Sequence, residues 1–303
     1  MKNFLSINDC SVEELQELLD LSTSLKKLYK GGGRDVCLAG KVLAMLFEKP
    51  SLRTRISFHV AMTDLGGSAI YVKPEDIGGI GKREPVKDMA RVLSRYVDGI
   101  MARTFEHSTI VELAEYATVP VINALTDWSH PCQAMADVLT ISEHYGRLEE
   151  VKIAFIGDGN NVARSLAFAC AKLGMKMVIA TPVGYELDAE TIETTNQISA
   201  GSVCQINEPA RAVAGADIIY TDTWVSMGQE GEKKKRIKDF KGFQVDAKLV
   251  KLAGGGVKVM HCLPAYRGFE ITDEVVESPN SIVFDQSENR LHFQRALLKK
   301  LMS

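Results

Sequence analysis

Short apolar runs recur along the chain, each closed by a polar cluster and followed by a stretch with helical spacing. Val42-Leu43-Ala44-Met45-Leu46 is the first of them. The runs predict strands near 41–47, 68–72, 98–102 and 119–123, then near 151–156, 176–180, 202–206, 216–221, 257–261 and 281–284. Helices are predicted between them, near 51–65, 85–95, 107–117 and 131–145, with a last one near 287–301. Ahead of the first strand, Ser11-Val12-Glu13-Glu14 has the form of a capping box, Leu15, Leu18, Leu19 and Leu21 follow it, and Gly31-Gly32-Gly33 ends that helix.

Strands alternating with helices imply parallel sheets covered on both faces. The expected fold class is α/β: two parallel-sheet α/β domains with the active site in the cleft between them. The expected limits are 1–133 and 134–286, with the last helix, 287–303, packing back on the first domain. The link is expected to be the helix after His130 rather than a loop.

Composition narrows the class. The chain has 303 residues, 46% apolar and 25% charged, with a net charge of −3. Nothing there favours nucleic acid or another polyanion. The cysteines at 10, 37, 132, 170, 204 and 262 are far apart and show no metal-ligand spacing, which suits free thiols in a reducing compartment. MKNFLSINDC lacks an apolar signal core and no run reaches membrane-spanning length, so a cytoplasmic protein without membrane contact is expected. Lys233-Lys234-Lys235-Arg236 reads as a solvated helix face.

In open parallel sheets, ligands bind beyond the carboxyl ends of the strands. Unusual polar clusters lie at those ends: FEKPSLRTR (47–55), Arg103, DWSHPCQ, GDGNN, TDTWVSMG and HCLP. At 51–55 a helix start is expected, with Ser51 as N-cap after Pro50. The unpaired N–H groups of that turn, with Arg53 and Thr54, suit a phosphate or carboxylate. A capped helix with surface arginines fits the segment equally well until Arg103, at a second strand exit, favours a dianion.

GDGNN invites a dinucleotide reading, but Val162 occupies the third glycine place, and the next strand runs into Thr181-Pro182 with no acidic residue for a ribose. Asn160 and Asn161 remain either small-ligand groups or a helix cap. His130 and Gln133 can both donate to a carbonyl oxygen, although a lone histidine is more often structural. Asp222 and Ser226 with the backbone of 226–228 could hold an amino-acid head group. Cys262 faces the same end; most cysteines only pack, and a thiol at a strand exit facing an anion site is a stronger candidate than the others.

In this order the clusters resemble the aspartate/ornithine carbamoyltransferase superfamily, and its ornithine branch in particular, over nearly the whole chain. FEKPSLRTR is similar to the family's S-T-R-T-R carbamoyl-phosphate signature, and HPCQ, DTWVSMG and HCLP are typical of the ornithine branch. The resemblance implies transfer of a carbamoyl group from carbamoyl phosphate to L-ornithine, giving citrulline, with no redox cofactor and no catalytic metal; direct attack of the amine is expected, with no covalent intermediate. It implies that Ser51, Leu52 (through its backbone), Arg53, Thr54 and Arg103 hold the phosphate. His130 and Gln133 hold the carbamoyl group, and Arg290 reaches the same ligand from the last helix. Asn161, Asp222, Ser226 and Met227 bind ornithine, and Cys262 and Leu263 lie at the reacting end. The family is built on a catalytic trimer, sometimes assembled further.

Two positions depart from the pattern. Leu52 stands where the family usually has a hydroxyl residue, and Gly79 stands where many relatives carry a glutamine or histidine that enters a neighbouring subunit's site. Leu52, Ile56 and Val60 share one helix face and are expected to start a buried stripe, and Arg55 is expected to pair with Glu48. The rival readings are a carbamoyltransferase for putrescine or an N-acylated ornithine, a non-catalytic sensor of a phosphorylated metabolite, and a nucleotide-dependent oxidoreductase. Asp222 with Ser226-Met227-Gly228 favours a free amino-acid head group over putrescine, which has no α-carboxylate.

Overall fold

A computed structural model describes residues 1–226 and 228–303. The chain forms two compact units, Met1–Leu139 with Glu288–Ser303, and Thr140–Ser287. The first opens with the helix Val12–Lys30, whose capping box is formed: Ser11 Oγ accepts from Glu14 N, and Ser11 N donates to the Glu14 carboxylate.

The first unit holds strands β1 (Val42–Phe47), β2 (Ser68–Val72), β3 (Gly99–Arg103) and β4 (Val121–Leu125), all parallel in the order β2-β1-β3-β4. Helices Leu52–Asp64, Val86–Leu93, His107–Tyr116 and Pro131–Tyr145 alternate with them. A core including Ala44, Leu46, Ile100, Ala102, Ile110, Leu113 and Val121 fills one side of the sheet. Near-continuous burial along β1 and β3 is what a parallel sheet covered on both faces requires.

The second unit holds β5 (Lys152–Ile156), β6 (Lys176–Ala180), β7 (Val203–Ile206), β8 (Ile218–Thr221) and β9 (Lys258–His261), parallel in the order β7-β6-β5-β8-β9. Its core packs Ile156, Ile219, Val259 and Phe240 with Trp224 and Val245. In both units the strand order reverses direction at one point, between β1 and β3 and between β5 and β8. Such switch points leave a crevice at the carboxyl ends of the strands.

The strand expected at 281–284 is a helix instead. Ser281 makes a single bridge to Val259, and the helix Val283–Met302 begins at once. Ile282-Val283-Phe284 has strand composition, but buried positions recur with helical spacing from Val283 through Gln286, Arg290, Phe293 and Leu297. Among the described residues no helix is long and apolar enough to cross a membrane.

Candidate active site

In the first unit, β1 delivers Phe47 beside Arg103 at the end of β3, and Glu48 N donates to the Arg103 carbonyl. Pro50 disfavours helix at Lys49, so the helix starts after Ser51, which takes an extended conformation and caps Leu52–Asp64. Ser51 Oγ accepts from Thr54 N at 3.3 Å and donates to Thr54 Oγ1 at 3.1 Å. Arg290, on the last helix, closes this end: its guanidinium donates to Thr54 Oγ1 at 2.8 Å and to Gln133 Oε1 at 2.7 Å. Thr54, Gln133, Arg290, Arg103 and His130 are all buried.

His130 sits where β4 gives way to the helix Pro131–Tyr145. Burial first, then the positive charges of Arg290, Arg103 and Arg53, hold its pKa well below the ordinary 6.5. The imidazole is therefore neutral at neutral pH and offers one N–H. Cys132, next in the motif, donates its thiol to the Asn123 carbonyl, and burial pushes its pKa up to about 12, so it is a packing residue. Lys49 is also mostly buried, its ammonium 4.4 Å above the Phe105 ring, with its pKa lowered by burial and by Arg103.

In the second unit, β5 runs through Gly157-Asp158-Gly159 into the helix Asn161–Leu173. A Cβ on Gly159 would lie 2.4 Å from Leu187 N, so only glycine lets segment 185–187 pass this close. Asn160 is the cap: its Oδ1 accepts from Val162 N and Ala163 N, and its Nδ2 donates to Asp222 Oδ2 at 2.8 Å. Asp222, just past β8, also accepts from Thr223 N and from the Cys262 thiol, at 2.9 Å. Asn161 is the first residue of the helix and lies beside this group, and Ser226 N donates to Gln229 Oε1. Met227 lies outside the described residues.

The turn after β9 is held by His261. Leu263 N donates to His261 Nδ1 at 2.8 Å, so Nε2 carries the proton and points it at Glu270 Oε1, 3.1 Å away. The bond anchors Leu263 at φ 56°, a left-handed conformation unusual for leucine, beside Cys262. Donor atoms of Asp222, His261 and Cys262 lie within 4.8 Å of one another, a spacing a metal ion could use. Both nitrogens of His261 are already engaged, however, so the trio offers at most two ligands without rearrangement.

Several sequence expectations change. Leu52 and Ile56 are 75% and 51% exposed, and the buried face of their helix is Thr54, Phe58, Ala61 and Met62. Arg55 lies 4.0 Å over the Tyr71 ring, while the Glu48 carboxylate accepts from Phe105 N, so the two do not pair. Arg236 is buried rather than solvated. It donates to Asp158 at 2.7 Å and to the Trp224 carbonyl, tying the GDGNN loop to the segment after Asp222. Burial raises the Asp158 carboxyl, and Arg236 offsets only part of that rise. Gly79 adopts φ 91°, which explains glycine there. Asn160 takes the helix-cap reading, whereas His261, Glu270 and Arg236 have no local signal as supports of the site, because their partners fold in from elsewhere.

Residues 2–143 match the aspartate/ornithine carbamoyltransferase carbamoyl-P binding domain, and residues 149–301 match the Asp/Orn binding domain of the same family. The ornithine carbamoyltransferase of Archaeoglobus fulgidus is 53% identical over 303 residues, covering 100% of this chain and 98% of that protein. That of Methanocorpusculum labreanum is 51% identical over 302 residues, covering 100% and 98%. The solved ornithine carbamoyltransferase of Pyrococcus furiosus superposes with a TM-score of 0.97 at 51% identity, covering 99% of this chain and 97% of that one. That of Thermus thermophilus gives 0.91 at 45% identity, covering 100% and 99%. This chain belongs to the aspartate/ornithine carbamoyltransferase family.

Proposed function

We propose that the protein transfers the carbamoyl group of carbamoyl phosphate to the δ-amine of L-ornithine, giving L-citrulline and phosphate for arginine biosynthesis. The observation that carries this reading is full-length identity above half to ornithine carbamoyltransferases, one of them named anabolic, from Pyrococcus furiosus. The charge of the second-unit group points the same way. Asp222 is a carboxylate that attracts an ammonium and repels the extra carboxylate of aspartate.

The first unit is assigned to carbamoyl phosphate. Ser51, the Leu52 backbone, Arg53, Thr54 and Arg103 take the phosphate, with Arg290 beside them. His130 and Gln133 take the carbamoyl group. The second unit is assigned to ornithine through Asn161, Asp222, Ser226 and Met227, with Cys262 and Leu263 at the reacting end.

A free alkylammonium has a pKa of about 10.4, so ornithine's amine must shed a proton before it attacks. Asp222 and the Cys262 thiol are assigned to hold that nitrogen. Attack forms the N–C bond and leaves an oxyanion on the carbamoyl oxygen, met by the single N–H of neutral His130, by Thr54 and by Arg103. Removing one such donor costs about 3–4 kcal/mol in comparable sites. Collapse breaks the C–O bond, the attacking nitrogen gives up its extra proton to the departing phosphate, and the charge left on that phosphate is balanced by Arg53, Arg103 and Arg290. Cys262 directs its hydrogen at Asp222 and acts as a donor, with no carbamoyl-enzyme on the path. The segment Ser226–Gly231 is assigned to close over ornithine. A trimer, or a multiple of trimers, in the cytoplasm is assigned from the family resemblance and composition.

The test is to supply carbamoyl phosphate with ornithine, putrescine, aspartate or N-acetylornithine and to measure ureido product and phosphate. Ornithine alone should support rapid turnover. Equal or faster turnover with another amine would replace the substrate assignment, and no turnover with any would refute the enzyme reading.

A further inference from the structure

We propose that Asp137 is a positioning residue that orients the Gln133 amide so that its carbonyl oxygen faces the carbamoyl group, selecting carbamoyl over acetyl donors. The inference rests on the assignment of the first unit to carbamoyl phosphate.

Gln133 and Asp137 lie one turn apart on the helix Pro131–Tyr145, and both are fully buried. Gln133 Nε2 donates to Asp137 Oδ1 at 2.8 Å, and Gln133 Oε1 accepts from the Arg290 guanidinium at 2.7 Å. A guanidinium can only donate and an ionised carboxylate can only accept. One amide orientation satisfies both neighbours. The flipped one sets NH2 against guanidinium and carbonyl against carboxylate, and each contact is repulsive. The two clamps thus settle a choice that the near-identical shape of an amide's two ends leaves open.

The orientation has a chemical consequence. A carbonyl oxygen has two lone pairs, so Gln133 Oε1 can accept a second hydrogen bond while it holds Arg290. A carbamoyl NH2 supplies that donor, whereas the methyl of an acetyl group cannot and leaves the oxygen short of a partner. Sites built around a substrate N–H discriminate strongly against analogues that lack it. Arg290 also donates to Thr54, in the helix turn capped by Ser51, so the selecting amide is braced against the anion-binding end. Asp137 does this without being assigned any contact with substrate.

The test measures kcat/KM for carbamoyl phosphate, and competitive inhibition by acetyl phosphate and by inorganic phosphate, in Asp137→Ala and Asp137→Asn. Asp137→Ala should narrow the preference for carbamoyl over acetyl phosphate by about tenfold while the phosphate inhibition constant stays within about twofold. Asp137→Asn, which keeps an acceptor oxygen but loses the charge, should narrow it by about threefold, and it serves if the alanine variant does not fold. On a Gln133→Ala background, Asp137→Ala should change the preference no further. An unchanged preference in either variant, or phosphate inhibition weakened as much as carbamoyl phosphate use, would overturn the proposal. A parent protein without turnover would overturn the proposed reaction instead, and calorimetric affinities for the two acyl phosphates would still test Asp137.

Discussion

Two helix starts occupy equivalent places in the two units, each following the central strand at a switch point, and they present opposite chemistry. At Leu52–Asp64 the cap is a serine, Arg290 donates to Thr54 in the first turn, and Arg290, Arg103 and Arg53 all lie close enough to His130 to depress its pKa. At Asn161–Leu173 the cap is an asparagine whose oxygen consumes two of the first N–H groups and whose nitrogen is given to the Asp222 carboxylate. Both termini carry the partial positive charge common to helices. In the first unit arginines add to it, which is the chemistry the proposed phosphate assignment needs. In the second it helps to stabilise a fixed carboxylate, and what remains on offer is negative. Both caps take N–H groups of their own helix, and the residues beside each start set the sign of the charge it presents.

The comparison predicts that damage to each end disturbs a different substrate. The largest effect is expected for Arg53→Ala, which should lower kcat/KM for carbamoyl phosphate by about a hundredfold or more. Unchanged carbamoyl-phosphate affinity would break the anion-site account. Next is Asp222→Asn, which should lower kcat/KM for ornithine by about a hundredfold, measured at saturating carbamoyl phosphate. A rise confined to the carbamoyl-phosphate KM would reverse the assignment of the two ends.

A smaller effect separates them by pH. The pKa of His130 is depressed in the folded state, so its contribution to stability is complete above the unfolded value of 6.5 and is lost as pH falls through and below it. Thermal unfolding of the unliganded protein should show that loss between about pH 7 and 5, phosphate should reduce it, and His130→Asn should remove its share. A loss that phosphate deepens would mean that the arginines do not surround His130. The smallest effect is expected at Leu52. Its side chain is 75% exposed, so Leu52→Thr should change stability by under about 0.5 kcal/mol. Carbamoyl-phosphate binding tightened by well over about tenfold would show that the missing hydroxyl matters more than the backbone.

Much of this was legible in the chain because it is local. Strand exits, the serine cap after Pro50 and the asparagine cap at 160 follow from apolar runs and adjacent residues. The helix at 52–64 shows where such reading stops. It carries two apolar stripes, Leu52-Ile56-Val60 and Phe58-Ala61-Met62, and periodicity alone cannot say which one the core takes. Thr54 lies on the buried stripe, so the face that meets the core also meets Arg290. Ile282-Val283 misled through β-branched composition, which a helix sustained to Met302 overrode. Arg236 looked like its lysine neighbours because its partner, Asp158, is distant in sequence. The link from Gln133 to Asp137 was within reach, since residues four apart share a helix face, but nothing in the sequence says that Arg290 holds the other end of that amide.

The central claim is that cations of the first unit bind carbamoyl phosphate independently of the carboxylate of the second. Calorimetric titration of carbamoyl phosphate into Asp222→Asn and Arg53→Ala tests it most directly. The account predicts parental affinity in the first variant and binding weakened by about a hundredfold in the second. Equal weakening in both, or none in Arg53→Ala, would contradict it.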